Sequence, residues 1–236
     1  MPLYLIPVTL GETPIEQVLP SYNRDIILSI HHFIVEEERT ARRFLKAVSK
    51  DINIDDITFY PMGKHADEHQ FRTYLKPIAE GHSIGIISEA GCPAIADPGA
   101  GVVAIAQRLG ICVVPLVGPS SILLALMASG FNGQNFAFNG YLPIQASERG
   151  TLIKKLEARA YTEYQTQMFI ETPFRNDRIF NDLLTACRPQ TLLCIAAGLT
   201  TKNEYIRTLA IGEWKKTKLP DLRKIPAIFL ISSPKI

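Results

Sequence analysis

The chain has 236 residues, of which 47% are hydrophobic and 20% charged, with a formal charge of +2. These values exclude a disordered tail and a mini-protein, and they describe enough apolar material for one large or two small cores. The near balance of charge excludes a strongly basic, nonspecific nucleic-acid binder and leaves room for a local basic patch.

Short β-branched runs recur along the first half: LYLIPV, IILSIHHFIVEE, ITFYP, SIGIIS and ICVVPLV. Helix-length stretches of mixed charge lie between several of them, which predicts strand–helix–strand units on a mainly parallel sheet. In RTARRFLKAVSK, Ala41, Phe44, Leu45 and Val48 fall three or four apart, so the spacing predicts a helix with one buried face. Glu36 to Glu38 precede Arg39, Arg42, Arg43 and Lys46, an order that suits the helix dipole and reads by itself as a solvated face. After VGPSS, SSILLALMASG predicts a helix, NFAFNGYLP a strand, ERGTLIKKLEARA a helix and QTQMFIETP a strand. NDRIFNDLLTACRP, TLLCIAAGL, EYIRTLAIGEWKK and PAIFLISS follow as helix, strand, strand-rich hairpin and final strand. VGPSS, with Gly118 and Pro119, marks a seam, because Ser120 or Ser121 caps the following helix. The expected domains are 1–117 and 118–236.

The longest apolar stretches are shorter than a bilayer span, and MPLYLIPVTL lacks a basic start and a cleavage site. Neither a membrane segment nor a secretion signal is expected. Cys92, Cys112, Cys187 and Cys194 show no C-x-x-C spacing and lie mostly in apolar runs, which fits a reducing, cytoplasmic setting.

Gly99, Gly101 and Ala104 satisfy G-x-G-x-x-A, but the preceding strand ends near Ser88 and residues 119 to 121 supply no acid. A dinucleotide site is therefore not expected. No G-x-x-x-x-G-K-[ST] occurs. His65-Ala66-Asp67-Glu68-His69 spells H-x-x-E-H, a pattern that on a helix holds zinc in some peptidases. Gly63-Lys64 just before it reads as a helix start, where polar residues are ordinary, and no metal is expected.

SEAGCPAIADPGAG, Ser88 to Gly101, is longer than the two to six residues that usually join a strand to a helix. It leaves the carboxyl end of a parallel strand, the edge at which open α/β sheets bind ligands. Glycine admits close backbone approach, proline stiffens the loop, and Asp97-Pro98-Gly99 has the form of a cap and first helical turn.

In chain order LYLIPVTLG, VEEER, SEAGCPAIADPG, VVPLVGPSSILLAL, FNGYLP, FIETPFR and IAAGLTTK resemble the tetrapyrrole methylase superfamily of S-adenosylmethionine-dependent methyltransferases. The likeness spans essentially the whole chain. It is greatest to the branch that methylates a ribose 2′-hydroxyl of a cytidine in small-subunit ribosomal RNA. The resemblance implies two α/β domains of the tetrapyrrole methylase type, S-adenosylmethionine folded in the cleft between them, and a homodimer. It aligns Leu10, Cys92, Ile95, Ser121, Ile122, Thr172 and Ala197 with cofactor-contacting positions, Cys92 as a small lining residue. It aligns Glu36, Arg39, His65 and Lys202 with catalytic positions, of which Glu36 is the expected base.

Some segments depart from that pattern. Pro-Val-Thr-Leu-Gly-Glu stands where ribosomal members have Thr-Pro-Ile-Gly-Asn, Ala197-Gly198 replace an Arg-Glu pair, and Thr201 is inserted before Lys202. Two other readings therefore stand beside RNA methylation: methylation of a tetrapyrrole or other small molecule, and a noncatalytic module that binds S-adenosylmethionine. Arg39, Arg42, Arg43 and Lys46, with Lys154, Lys155, Lys215, Lys216 and Lys218, could form a basic rim for RNA, or scatter as solvated charges.

Overall fold

The computed structural model describes residues 1–62, 68–218 and 221–234. They form two compact units, Met1–Ser120 and Ser121–Ile236, so the division falls after Ser120 rather than after Val117, still within VGPSS.

In the first unit β1 (Leu3–Ile6), β2 (His32–Val35), β3 (Thr58–Pro61), β4 (Ile84–Ile87) and β5 (Val113–Pro115) form one sheet in the order β3-β2-β4-β1-β5. Every pair is parallel. The connections carry α1 (Ile15–Val18), α2 (Ser21–Leu28), α3 (Glu38–Val48), α4 (Glu68–Tyr74), α5 (Lys76–Ala79) and α6 (Gly99–Arg108).

Strand alternation explains why both faces need helices. Ile6, Phe33, Val35 and Ile87 point to one side, where they pack with Ile27 of α2 and Ala41, Leu45 and Val48 of α3. Leu3, Ile34, Ile84 and Ile86 point to the other, against Phe71 of α4 and Val102, Ile105 and Ala106 of α6. A parallel sheet with apolar residues on both faces is stable only when covered on both. Gly85 makes the first face possible, because a Cβ there would lie 2.6 Å from Ile6 Cδ1 and 2.9 Å from the Phe33 ring.

One expected strand is split. IILSIHHFIVEE reads as continuous extended chain, yet Ile26–Leu28 close α2 and β2 begins only at His32. Ile27 and Ile30 are each 2% exposed, so both are buried from a helix end and its exit turn. Apolar runs this short do not distinguish a buried helix end from a strand.

The second unit contains α7 (Ser121–Ser129), β6 (Phe136–Tyr141), α8 (Ala146–Thr162), β7 (Thr166–Glu171), α9 (Asn176–Ala186), β8 (Leu192–Ala197), β9 (Tyr205–Ala210), α10 (Ile211–Trp214) and β10 (Ala227–Ser232). Its sheet runs β6-β7-β10-β8-β9. Here the pairing is mixed: β6 and β7 are parallel, while β10 runs antiparallel to both neighbours and β8–β9 is an antiparallel hairpin. Phe169, Leu193, Ile195, Phe229 and Ile231 face the core shared with α8, α9 and α10. Met168, Cys194 and Leu230 alternate with them and are fully buried on the opposite face, where α7 packs on β8, β9 and β10. The Trp214 indole N–H donates to the Leu193 carbonyl at 2.9 Å, which satisfies the one polar atom of a fully buried ring. No described helix is long and apolar enough to cross a membrane.

Candidate active site

The carboxyl-terminal edge of the first sheet collects three segments that are distant in sequence. Val8 N donates to Gly91 O at 2.9 Å, pinning the exit of β1 to the long loop after β4. Gly91 has φ +71°, and a Cβ on it would sit 3.0 Å from Leu10 Cδ2 and 3.3 Å from Pro119 O. Only glycine meets both the left-handed backbone and the close approach. Next to it the Cys92 thiol donates to Pro119 O at 3.4 Å. Burial pushes the Cys92 thiol pKa up, so at neutral pH it is a protonated lining group and not a nucleophile.

Asp97 shapes the rest of this loop. Its Oδ1 accepts from Ala94 N and Gly99 N, both at 2.8 Å. Ala94 and Ala96 have φ of 66° and 61°, a region that side-chain-bearing residues adopt at a cost of about 1–2 kcal/mol each. The carboxylate holds Ala94 there, and Ile95 between the two alanines is 53% exposed. Pro98, not Asp97, occupies the residue before α6, with Asp97 reaching one position further back to bond the helix start. Ser88 Oγ and Asp97 Oδ2 are buried with no hydrogen-bond partner among the described residues.

Glu36 follows β2, whose last residue Val35 lies opposite Ile87, the last residue of β4. That register brings its Oε1 to the Glu89 amide, which donates at 3.4 Å. Burial raises the Glu36 carboxyl above its usual value, and the nearby Asp97 and Glu89 charges raise it further against the opposing effect of that amide. Burial also raises Asp97, against the amides of Gly99 and Ala94. The gathering of Glu89 and Asp97 around Glu36 is invisible in the sequence, since it depends on strand register. Arg39 is exposed in the first turn of α3, where its backbone N–H donates to the capping Glu37 carboxylate at 3.2 Å. His65 lies outside the described residues.

In the second unit Ser121 and Ile122 open α7 and are half-buried, with Ser120 immediately before the helix. Glu171 and Ala197 both pair with Ala227, so Thr172 and Ala197 share one edge of the sheet. The fully buried Glu171 carboxylate accepts from Arg175 Nε at 2.7 Å, from the Arg175 terminal nitrogen at 2.6 Å and from Thr172 N at 2.6 Å. This clamp fixes the turn that exposes Thr172; the sequence signal for it is the spacing of the two charges in FIETPFR, four residues apart. Ala197 is fully buried in the core, backbone included, so no atom of it is exposed to meet a ligand as the resemblance had implied. Lys202 is exposed on the β8–β9 turn, which is closed by Thr201 Oγ1 donating to Gly198 O at 2.7 Å.

The G-x-G-x-x-A pattern has a structural explanation. Gly99, Gly101 and Ala104 lie within α6, where a Cβ on Gly101 would meet the Phe71 ring at 2.8 Å. His65 to Asp67 of H-x-x-E-H fall outside the described residues, and His69 is exposed on α4. Among the described residues no group of three or more His, Cys, Asp or Glu is placed to hold a metal.

This architecture is shared with the crystal structure of the methyltransferase CobJ, with a TM-score of 0.64 over 98% of this chain and 94% of that one at 16% identity. The two-sheet α/β fold of this chain is thus the fold of that methyltransferase. A comparison with protein-family models returns no match. Among curated proteins, the chain is 30% identical over 211 residues to ribosomal RNA small subunit methyltransferase I of Vibrio cholerae, covering 89% of this chain and 69% of the relative. The same-named protein of Buchnera aphidicola is 26% identical over 97% of this chain and 77% of its own length. That of Escherichia coli O157:H7 is 31% identical over 65% of this chain and 52% of its own. The chain belongs to the ribosomal RNA small subunit methyltransferase I family.

Proposed function

We propose that this chain uses S-adenosylmethionine to methylate a ribose 2′-hydroxyl of small-subunit ribosomal RNA. The observation that carries the reading is the Glu36–Glu89 contact, which anchors a carboxylate of raised pKa on the loop proposed to grip the cofactor. The donor set suits that cofactor. Leu10, the Gly91 backbone, Cys92 and Ile95 offer small apolar contacts. Ser88 Oγ is a buried polar atom still without a partner, and Glu36, Glu89 and Asp97 favour a cationic ligand. Ser121, Ile122 and Thr172 are assigned to the cofactor by the family resemblance, and Lys202 to catalysis on the same ground; the resemblance also aligns Ala197, which has no exposed atom.

Bound S-adenosylmethionine supplies a methyl group already activated on a sulfonium, so the chain's main task is alignment of the attacking oxygen. Glu36 keeps Oε1 on the Glu89 amide and takes the proton of the ribose hydroxyl on Oε2. The products are a 2′-methyl ether, S-adenosylhomocysteine and a neutral carboxyl that returns its proton to water. A carboxylate whose pKa lies closer to neutrality is a stronger base for this step. The homodimer and the cytoplasmic setting belong to the same proposal and rest on the resemblance alone.

The test is transfer of tritium from labelled cofactor to small ribosomal subunits, total RNA and a tetrapyrrole, in parallel. Label in the RNA ribose is the expected result. Label in the tetrapyrrole alone would move the chain to small-molecule methylation. Tight cofactor binding with no transfer to any acceptor would make it a noncatalytic module.

A further inference from the structure

The first half of α3 carries more positive charge than its neighbours neutralise. Glu37, Glu38, Arg39, Arg42 and Arg43 line a shallow concavity of about 480 Å³. Both acids there are engaged: Glu37 caps the Arg39 N–H at 3.2 Å, and Glu38 pairs with Arg42 at 2.6 Å. Arg42 is further held with its guanidinium 5.1 Å from the Phe59 ring centre. One turn on, Lys46 spends its ammonium on the carbonyls of Lys50 and Ile52, at 3.0 and 2.7 Å. Arg39 and Arg43 differ from these. Both are exposed, no carboxylate pairs with either among the described residues, and Arg43 Nε donates to Arg39 O at 3.4 Å. That bond folds the Arg43 guanidinium back toward the turn that carries Arg39, so two guanidinium groups share one face of the helix.

We infer that Arg39 and Arg43 form a clamp for a backbone phosphate of the RNA substrate. The inference rests on the proposed RNA methylation and says where the acceptor strand is held. Paired guanidinium forks bind phosphate oxygens with charge-assisted hydrogen bonds, which lone lysines do with less directionality. The location supplies the purpose. β2 runs through Glu36 directly into α3, so a phosphate held on the first turns of α3 is fixed on the same short segment as the proposed base. A nucleotide gripped by its phosphate there is held beside the carboxyl-terminal edge of the sheet, where Glu36 lies. Arg39, aligned with a catalytic position, then acts through binding.

The experiment measures binding of protein-free small-subunit ribosomal RNA across a salt series, with S-adenosylhomocysteine affinity measured calorimetrically on the same samples. Arg43→Glu is expected to weaken RNA binding at low salt by about tenfold or more. It should also make the slope of log affinity against log salt shallower by up to about one, and Arg39→Ala/Arg43→Ala by about one as well, because the two guanidinium groups hold a single phosphate. Arg43→Lys should recover most of the slope but not all of the affinity, and affinity for S-adenosylhomocysteine should stay at the wild-type value throughout. Unchanged RNA affinity and slope in Arg43→Glu, in a protein whose wild type methylates RNA, would overturn the clamp alone. A wild type that neither binds nor methylates RNA would overturn the functional reading and the clamp with it.

Discussion

Glu36 is a carboxylate whose proton affinity is set by burial and by two other acids, Asp97 and Glu89, with one amide opposing them. Substituting Glu36→Gln keeps the shape and an acceptor for the Glu89 amide but removes the base. Transfer to RNA should fall about 10²- to 10⁴-fold while calorimetry finds S-adenosylhomocysteine affinity within a few-fold of wild type. Wild-type activity should rise with pH through a carboxyl pKa above the ordinary 4.5 and then level off, a limb that Glu36→Gln lacks. The stability consequence has the opposite sign to a salt-bridged acid. With its folded pKa raised, Glu36 favours the folded state below pH 4.5, and that contribution is lost as pH rises to the raised value. At neutral pH, Glu36→Gln should therefore melt at the wild-type temperature or above it. At this scale the sequence shows Glu36 as an acid before a helix. It does not show Glu89, 53 residues away, because only the parallel register of β2 and β4 brings the two together.

At the scale of elements, local patterning is legible wherever one face is apolar. Ala41, Leu45 and Val48 of α3 are buried as their spacing predicts. The misread run is Ile26–Leu28, where β-branched residues finish a helix because Ile27 and Ile30 find the same core as the strands. The long loop after β4 was legible from composition, but its conformation was not: Ala94 and Ala96 take left-handed backbone, and Ala94 is held there by a bond to Asp97 that no spacing rule announces. Gly85 likewise has a role only in the packed sheet. Gly85→Ala should destabilise the protein by about 1–3 kcal/mol, read as a lower denaturant midpoint, because the Ile6 and Phe33 side chains must shift to admit a methyl. In the second unit, Arg175→Ala strands the fully buried Glu171 carboxylate. A loss of about 3–5 kcal/mol is expected, and a denaturant titration showing no loss would mean that Thr172 and water suffice.

For the whole molecule, a ligand bound only by the folded chain must raise its melting temperature. S-adenosylmethionine or S-adenosylhomocysteine at 100 times its dissociation constant adds about 2.7 kcal/mol. Differential scanning fluorimetry should show an upward shift with both, and its absence at millimolar ligand would remove the cofactor from the proposal. The alternation of strands and helices makes two α/β units legible from the chain. Strand order is not, because nothing local in PAIFLISS says that it enters the middle of a sheet instead of its edge. That placement governs synthesis. With β10 seated between β7 and β8, the second sheet is two disconnected halves until residues 227–232 leave the ribosome, whereas every strand of the first sheet has emerged by Pro115. A nascent chain arrested before Ala227 should hold a protease-resistant amino-terminal half beside a digestible remainder.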